Sequence, residues 1–288
     1  MKRVAFFYYR EWAADILDEL VQQQQKRGDF EISAVVAPLK LKPKIKDLWN
    51  TIPTKFIDPA DANAVRNVVL SCEAELVLFY GWSWMVPKDV VGQNICICLH
   101  PSKLPNFRGG SPIQNQVMEG VENSAVSVIR MNEQLDAGPI YQQHALSLVG
   151  SIDEILLRIA SIGRSITVSL LEDFINDELI FHEQDEPSFA PVKRRHPCDG
   201  AIDIDQIAKV EFRQLARLIL SLRDPYPNAY IELIGQNLLI QGVHKFKILP
   251  TDAFLLTSQN KQKINFEKRL FLTVLDGYAL ISDWSNAD

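Results

Sequence analysis

The chain has 288 residues, of which 47% are hydrophobic and 23% are charged, and its formal net charge is -6. This length predicts two domains, since single domains commonly run to roughly 100–200 residues. The composition excludes a disordered or fibrous protein. The negative charge argues against a dedicated nucleic-acid binder, which usually needs a broad basic face.

The cysteines and the N-terminal segment indicate in which cellular compartment the protein is expected. Four cysteines are too few for a disulfide scaffold in a chain of this length and indicate a reducing environment. The first apolar run stops at Arg10 and Glu11, short of the roughly 7–15 uncharged residues of a signal-peptide core. No window approaches the roughly 20 apolar residues of a membrane span. We therefore expect a cytoplasmic protein with no membrane partner.

In the first half of the chain, apolar runs typical of buried strands alternate with helical patterns. Strands are predicted over residues 4–9, 32–36 and 75–80, and helices over residues 13–21 and 61–71. This alternation predicts a mainly parallel sheet with crossover helices on both faces. The loop after the second strand carries a row of lysines that either meets phosphates or forms a solvated surface: Lys40, Lys42, Lys44 and Lys46.

A further apolar run, residues 94–99, stops at His100-Pro101, because proline disfavours both strand pairing and a helix start at the preceding residue. We expect His100 at the carboxyl end of a strand, the edge where open α/β sheets bind ligands. The segment LPNFRGGSP follows, with Ser111 as a candidate N-cap and Pro112 at the first helical position. A helix over residues 112–119 should follow.

The remaining chain divides into a long helix, a boundary and a β-rich part. Strands over 125–131 and 139–144 bracket the loop NEQLDAG, and the periodic segment 152–175 predicts a helix. We predict a first domain over residues 1–180, a linker over 181–205 and a smaller β-rich domain over 206–288. In the last, a helix over 211–222 precedes two hairpins, the second turning at Asp276-Gly277.

His100 and Asp136 form the candidate catalytic pair. Histidine moves protons near neutral pH, and a carboxylate at its other ring nitrogen would fix the tautomer and stabilise the imidazolium. Such a pair would serve acyl transfer, whereas the alternative is a hydrogen-bonded surface feature. Cys96 and Cys98 alternate with His100 on one strand face, which suggests a thiol nucleophile, a metal site or simply buried cysteines. We predict no metal, because turns arrange zinc ligands better than a straight strand does.

Other residues suggest a heterocycle and a phosphate. Trp82 and Trp84 directly follow a strand, so they either wall a flat ring or belong to the core. Arg194 and Arg195 either bind a diphosphate or are linker charges. No GxGxxG and no GxxxxGK[ST] occurs, so the sequence lacks the glycine-rich phosphate-binding loop of a dinucleotide or P-loop site.

The stretch LHPSKLPNFRGGSPIQNQVMEG, followed by MNEQLDAGPI, resembles the catalytic signature of the folate-dependent formyltransferases. This family includes methionyl-tRNA formyltransferase, glycinamide ribonucleotide transformylase and the sugar N-formyltransferases. LVLFYGWSWMVPKDVV resembles the segment that lines the folate pocket, and ARLILSLRDPYPNAYIELIGQNLLIQGVHKF resembles the start of a C-terminal domain. The resemblance implies a Rossmann-like N-terminal domain that binds N10-formyltetrahydrofolate as co-substrate and passes its formyl group to an amine.

In the family pattern an Asn, a His and an Asp carry the reaction. Here the His is His100 and the Asp is Asp136, but Cys98 stands at the Asn position and is a much weaker hydrogen-bond donor. The resemblance implies these residues for the folate pocket: Gly81, Trp82, Trp84, Met85, Val86, Leu135 and Gly138.

The linker sequence RRHPCDGAID and the wording around RGGSPIQ resemble the enzymes that formylate an amino sugar on a nucleoside diphosphate, such as a dTDP- or GDP-4-amino-4,6-dideoxyhexose for surface polysaccharide. Residues implied for this acceptor are Ser102, Arg108, Gly109, Gly110, Arg194, Tyr226 and Tyr230, with one of the tyrosines stacking on the base. The alternatives are a methionyl-tRNA formyltransferase and a non-catalytic folate- or nucleotide-binding module. The resemblance also implies a homodimer.

Overall fold

A computed structural model describes residues 1–44, 49, 51–188, 190–233, 236–261, 264 and 268–286. Lys46 of the lysine row and residues 234–235 of the first predicted hairpin lie outside this range. The chain forms two compact units. The first comprises Met1–Pro112, Asn123–Ser147 and Leu156–Lys193, and the second comprises Ile113–Glu122, Leu148–Ile155 and Arg194–Asp288. The segment predicted as a linker is thus divided between the units after Lys193.

Within its described residues, the first unit is built on a seven-stranded sheet. Its strands are β1 (Lys2–Tyr8), β2 (Phe30–Pro38), β3 (Thr54–Ile57), β4 (Leu76–Tyr80), β5 (Ile95–His100), β6 (Asn123–Arg130) and β7 (Ile140–Ser147). They are ordered β3-β2-β1-β4-β5-β6-β7. The neighbouring strands β3, β2, β1, β4 and β5 pair in parallel, in that order. Strand β6 runs antiparallel to both of its neighbours, β5 and β7. The predicted mainly parallel sheet is confirmed.

Helices lie between and after these strands. Those that connect successive strands are α1 (Ala14–Arg27), α2 (Ala62–Cys72), α3 (Lys88–Gln93) and α4 (Pro112–Glu119), and α5 (Ile152–Ile175) follows β7. The bounds of α4 and α5 are those that the sequence predicts. Helix α2 begins after Asp61, whose carboxylate accepts from the amides of Asn63 and Ala64, as expected of an N-cap. None of the helices in the described part of the chain is both long and apolar enough to cross a membrane.

The strand register places several loops at one edge of the sheet. Every residue of β4 is buried, as is typical of a central parallel strand covered on both faces. Tyr8 of β1 lies opposite Tyr80 of β4, and Tyr80 lies opposite Leu99 of β5. The parallel strands therefore end together, and the segments that follow them, from residues 9, 81 and 101, leave from the same edge.

In the second unit, α6 (Phe212–Ser221) belongs with a five-stranded sheet, as far as that unit is described. The strands are β8 (Ala229–Leu233), β9 (Gln236–Phe246), β10 (Ala253–Leu255), β11 (Arg269–Val274) and β12 (Gly277–Asn286), in the order β10-β11-β12-β9-β8. The predicted hairpins appear as the antiparallel pairs β8–β9 and β11–β12. Leu215 and Ile219 of α6 share a core with Ile231 and Leu238.

Candidate active site

His100 is the last residue of β5, and only 5% of its surface is exposed. Its Nε2 lies 2.9 Å from the carbonyl oxygen of Phe107, and its Nδ1 lies 3.5 Å from Oδ2 of Asp136. Because a carbonyl oxygen only accepts hydrogen bonds, Nε2 is the donor in its contact with Phe107. The structure thus brings together the two residues expected to act as a pair, with the carboxylate at the other ring nitrogen.

The loops that carry this pair have unusual backbone conformations. Phe107, Ser111 and Asp136 have φ values of 57°, 49° and 51°, and they are three of the five non-glycine residues with positive φ in the described chain. Left-handed backbone is uncommon for such residues and tends to occur at functional sites. Ser111 was expected as the N-cap of α4, but its φ departs from the extended conformation that an N-cap usually adopts.

The glycine turn is fastened to the segment predicted as a linker. The amide of Gly110 donates to the carbonyl of Val192 at 3.0 Å, and the amide of Val192 donates to the carbonyl of Arg108 at 2.7 Å. Gly109 has a φ of 109°, and a Cβ there would overlap the backbone oxygen of Val192. Only glycine fits this close approach. The amide of Gly109 donates to Oδ2 of Asp136 at 2.8 Å, which joins the turn to the pair of His100 and Asp136.

Gln184 is a site residue that the sequence did not single out. Its Oε1 accepts from Nε and Nη2 of Arg108, at 3.0 and 2.6 Å. Its Nε2 donates to the carbonyl oxygens of Asp136 and Gly138, at 2.9 and 2.6 Å. The resemblance implies Arg108 for the acceptor, and in the structure two of its guanidinium nitrogens donate to Gln184. No periodicity or motif marks Gln184, because its partners lie far away in the sequence.

Hydrogen bonds from polar side chains stabilise the loop after β5. Ser102 is fully buried, and its hydroxyl donates to the carbonyl of Asn106 at 2.8 Å. The Ser127 hydroxyl donates to the carbonyl of Ser102 at 2.5 Å, and Nε2 of Gln143 donates to Ser127 Oγ and Leu104 O. The expectation that Ser102 contacts the acceptor needs correction, since its buried hydroxyl supports the loop instead. Ser127 and Gln143 went unnoticed in the sequence; polar residues within strands β6 and β7 were their only signal.

Cys98 is half-buried and Cys96 is fully buried. Burial, together with the Asp136 carboxylate, raises the pKa of the Cys98 thiol well above its ordinary value, and burial raises the pKa of Cys96 to about 12. Both thiols are therefore neutral near pH 7, and a neutral thiol is a poor nucleophile. This argues against the thiol-nucleophile hypothesis. Across the described residues, no cluster of three or more His, Cys, Asp or Glu side chains has the arrangement of a metal site.

Aromatic residues line the neighbouring strand ends. Trp82 packs edge-on against Phe7, Phe79 and Trp84, with ring centroids 5.7–5.9 Å apart, and Trp84 packs on Tyr9 at 4.4 Å. The Nε1 of Trp82 is buried and has no hydrogen-bond acceptor among the residues that the structure describes. The tryptophans are thus partly core residues, and one of them keeps an unused donor.

The other residues expected around the folate differ in accessibility. Met85 and Leu135 are exposed, at 64% and 49%, whereas Val86 is buried in the core cluster against which Trp82 packs. Gly81 has a φ of 60°. A Cβ on Gly138 would overlap the backbone oxygen of Arg130, so this loop lies directly against the end of β6. Of the seven residues, Met85 and Leu135 are the most accessible to a ligand.

Three residues expected to bind the acceptor belong to the second unit. Arg194 is exposed, and Tyr226 and Tyr230 are half-buried, the latter on β8. Within the same unit, Nε of Arg195 donates to Oδ1 of Asn115 at 3.0 Å. The roles of Arg194 and the two tyrosines remain predictions.

Comparisons with known proteins agree with the expected chemistry. Residues 2–169, more than half of the chain, match the family model described as formyl transferase. A curated relative, the methionyl-tRNA formyltransferase of Buchnera aphidicola subsp. Acyrthosiphon pisum (strain Tuc7), is 26% identical over 222 residues, which cover 76% of this chain and 67% of the relative.

Two solved structures share the fold. A 4-N formyltransferase from Francisella tularensis has a TM-score of 0.65 at 17% identity, covering 82% of this chain and 95% of that one. HypX from Aquifex aeolicus in complex with tetrahydrofolic acid has a TM-score of 0.68 at 14% identity, covering 99% of this chain and 44% of HypX. With a family match over more than half of its residues, and with His100 and Asp136 facing each other at the carboxyl edge of β5, this chain belongs to the formyl transferase family.

Proposed function

We propose that the protein transfers a formyl group from N10-formyltetrahydrofolate to the amino group of a nucleotide-linked amino sugar. The observation that carries the proposal is the contact between His100 and Asp136 at the carboxyl edge of the sheet, within loops of left-handed backbone. A histidine and carboxylate pair is suited to moving a proton during acyl transfer. The family membership supports the formyl group as the acyl group.

The reaction forms a bond between the acceptor nitrogen and the formyl carbon and breaks the bond from that carbon to N10. The acceptor nitrogen loses a proton and N10 gains one, while negative charge develops on the formyl oxygen. A preorganised donor at that oxygen lowers the barrier because it binds charge present only in the transition state. With Nδ1 of His100 turned to Asp136, Nε2 is the nitrogen that can donate, in exchange for its bond to Phe107.

Cys98 has a smaller part in this scheme. A carboxamide donor at an oxyanion is worth about 3 kcal/mol of transition-state stabilisation. A neutral thiol is a weak donor, so Cys98 contributes less than the family asparagine would. His100 and the loop amides then carry a larger share of the charge stabilisation.

The aromatic residues after β4 support a flat heterocyclic co-substrate. Trp82 and Trp84 offer ring surfaces, and the buried Trp82 Nε1 lacks an acceptor among the described residues, which a heterocycle with nitrogen or oxygen atoms would supply. Exposed Met85 and Leu135 offer apolar surface to the same co-substrate. Gly81, Val86 and Gly138 would shape the pocket through the backbone and core.

For the acceptor, two candidates have separate support. The resemblance of the segment RRHPCDGAID to the sugar formyltransferases, the fold shared with a 4-N formyltransferase and the net charge of -6 support a nucleotide-linked amino sugar over a polynucleotide. The curated relatives favour methionyl-tRNA. The residues implied for this acceptor stay individual predictions: Arg108, Gly109 and Gly110 in the first unit, and Arg194, Tyr226 and Tyr230 in the second. A homodimer remains a prediction.

An acceptor panel distinguishes the candidates. Full-length protein is incubated with N10-formyltetrahydrofolate and either dTDP- or GDP-4-amino-4,6-dideoxyhexoses or initiator methionyl-tRNA, and products are identified by mass spectrometry. We expect a nucleotide sugar one formyl group heavier and unmodified tRNA. Formylated methionyl-tRNA with no reaction on any amino sugar would replace the sugar proposal with the tRNA one.

A further inference from the structure

We propose that Gln184 is a positioning residue of the active site, whose side-chain amide sets the Asp136 carboxylate against His100. The inference rests on the proposed function for its kinetic consequence, although its structural part can be tested without any substrate. Nothing in the formyl-transfer chemistry requires Gln184 to touch the reacting atoms.

All the hydrogen-bonding capacity of the Gln184 amide that faces these loops is in use. Oε1 accepts two bonds from Arg108, and Nε2 donates one bond to the carbonyl of Asp136 and another to the carbonyl of Gly138. An amide has two N–H donors and an oxygen with two lone pairs, so this single group satisfies four partners in two loops. No other natural side chain of the same length offers this combination.

These bonds close a ring of contacts through the catalytic carboxylate. Gln184 holds Arg108, whose neighbour Gly109 donates its amide to Oδ2 of Asp136, and the carbonyl of Asp136 returns to Gln184. The same Oδ2 faces Nδ1 of His100. The orientation of the carboxylate is thus fixed from its side chain and from its backbone at once.

The backbone of the Asp136 loop needs such support. Asp136 has a φ of 51°, a conformation that a non-glycine residue rarely keeps without tertiary contacts. Gln184 donates to the carbonyl of this residue and to that of Gly138, so it holds the backbone of this loop at two points. Without these donors the turn can relax, and the carboxylate moves with it.

The segment that carries Gln184 is anchored independently of its side chain. His182 exchanges two backbone bonds with Ile140, at 2.7 and 2.8 Å, and Val192 pairs with Arg108 and Gly110. Removing the Gln184 amide should therefore leave the segment in place and the protein folded. The expected loss is in the alignment of the catalytic pair.

The test compares Gln184→Met, which keeps the length but removes the four bonds, with Glu183→Gln as the matched control on an exposed neighbour. We expect Gln184→Met to lower kcat about 10- to 100-fold, since small misplacements of a catalytic group have effects of this order. The KM for N10-formyltetrahydrofolate should stay within about twofold, and Glu183→Gln should behave as wild type.

Amide hydrogen exchange by NMR supplies the readout that needs no substrate. In Gln184→Met we expect faster exchange at the Gly109 amide, which donates to Asp136, and unchanged exchange at His182 and Ile140. Gln184→Glu keeps the acceptor for Arg108 but loses both donors, so it should show the same pattern if Gln184→Met folds poorly.

Two results would overturn the proposal. One is an unchanged exchange rate of the Gly109 amide in both variants. The other is a lower kcat accompanied by a higher KM and a lower melting temperature, as a purely structural residue would give. If no amine is formylated even by the wild type, the proposed function fails, while the exchange data still decide whether Gln184 holds the loop.

Discussion

Replacing Asp136 with asparagine is expected to lower kcat by about 10²- to 10⁴-fold, the usual range for loss of a group that supports proton transfer. The amide oxygen of asparagine can still accept from Gly109, so the loop should keep its shape. What disappears is the negative charge 3.5 Å from Nδ1 of His100, which stabilises the protonated ring during transfer. Steady-state kinetics with the co-substrate varied measure kcat and KM separately.

Asp185→Asn is the matched control for this variant, because Asp185 is an exposed carboxylate in the neighbouring segment. It should leave kcat unchanged, and thermal melts of both variants should resemble that of the wild type. An Asp136→Asn enzyme that works within about threefold of the wild-type rate would show that the carboxylate has no part in proton transfer.

Gly138→Ala is expected to destabilise the protein by about 1–3 kcal/mol, as overpacked sites do, and to lower kcat strongly. The added Cβ would overlap the backbone oxygen of Arg130, and neither backbone can move aside without shifting the end of β6 or the Asp136 loop. A displaced loop moves the Asp136 carboxylate away from His100. Urea denaturation gives the free energy of unfolding, and kinetics on the folded fraction give kcat.

Gly92→Ala provides the contrast within α3. A Cβ at that position meets no atom within 4 Å, so alanine should be neutral or stabilise the helix by about 0.5–1 kcal/mol. If Gly138→Ala and Gly92→Ala gave the same stability and rate, the close approach of the Asp136 loop to β6 would not be a feature of the protein in solution.

Much of the fold follows from periodicity in the sequence. Helices α4 and α5 lie where the pattern predicts, and β5 ends at His100 as its proline neighbour indicates. The short elements β3, α3 and β10 were missed, since four, six and three residues give too little pattern to recognise. The direction of β6 could not be predicted either, because the hydrophobic pattern of a strand is the same whether it pairs in parallel or antiparallel. In the structure β6 is antiparallel to β5.

The sequence predicts the candidate catalytic residues more readily than the residues that hold them. His100 and Asp136 belong to a motif whose sequence is specific to the family, and the structure brings the two residues together. Gln184 acts on groups 46 to 76 residues away, in a stretch whose composition suggests a linker. For Ser102, a hydroxyl close to His100 in the sequence suggested contact with the acceptor. The local sequence does not show that this side chain is buried.

Single-turnover transfer of a ¹³C-labelled formyl group most directly tests whether His100 and Asp136 catalyse formyl transfer. Excess enzyme is mixed with N10-[¹³C]formyltetrahydrofolate and the amine identified by the acceptor panel, and the label is followed by mass spectrometry. We predict labelled formylamine from the wild type, and from His100→Ala a rate about 10²- to 10⁴-fold lower with unchanged co-substrate binding. Equal rates in the two proteins, or tight co-substrate binding without transfer to any amine, would contradict it.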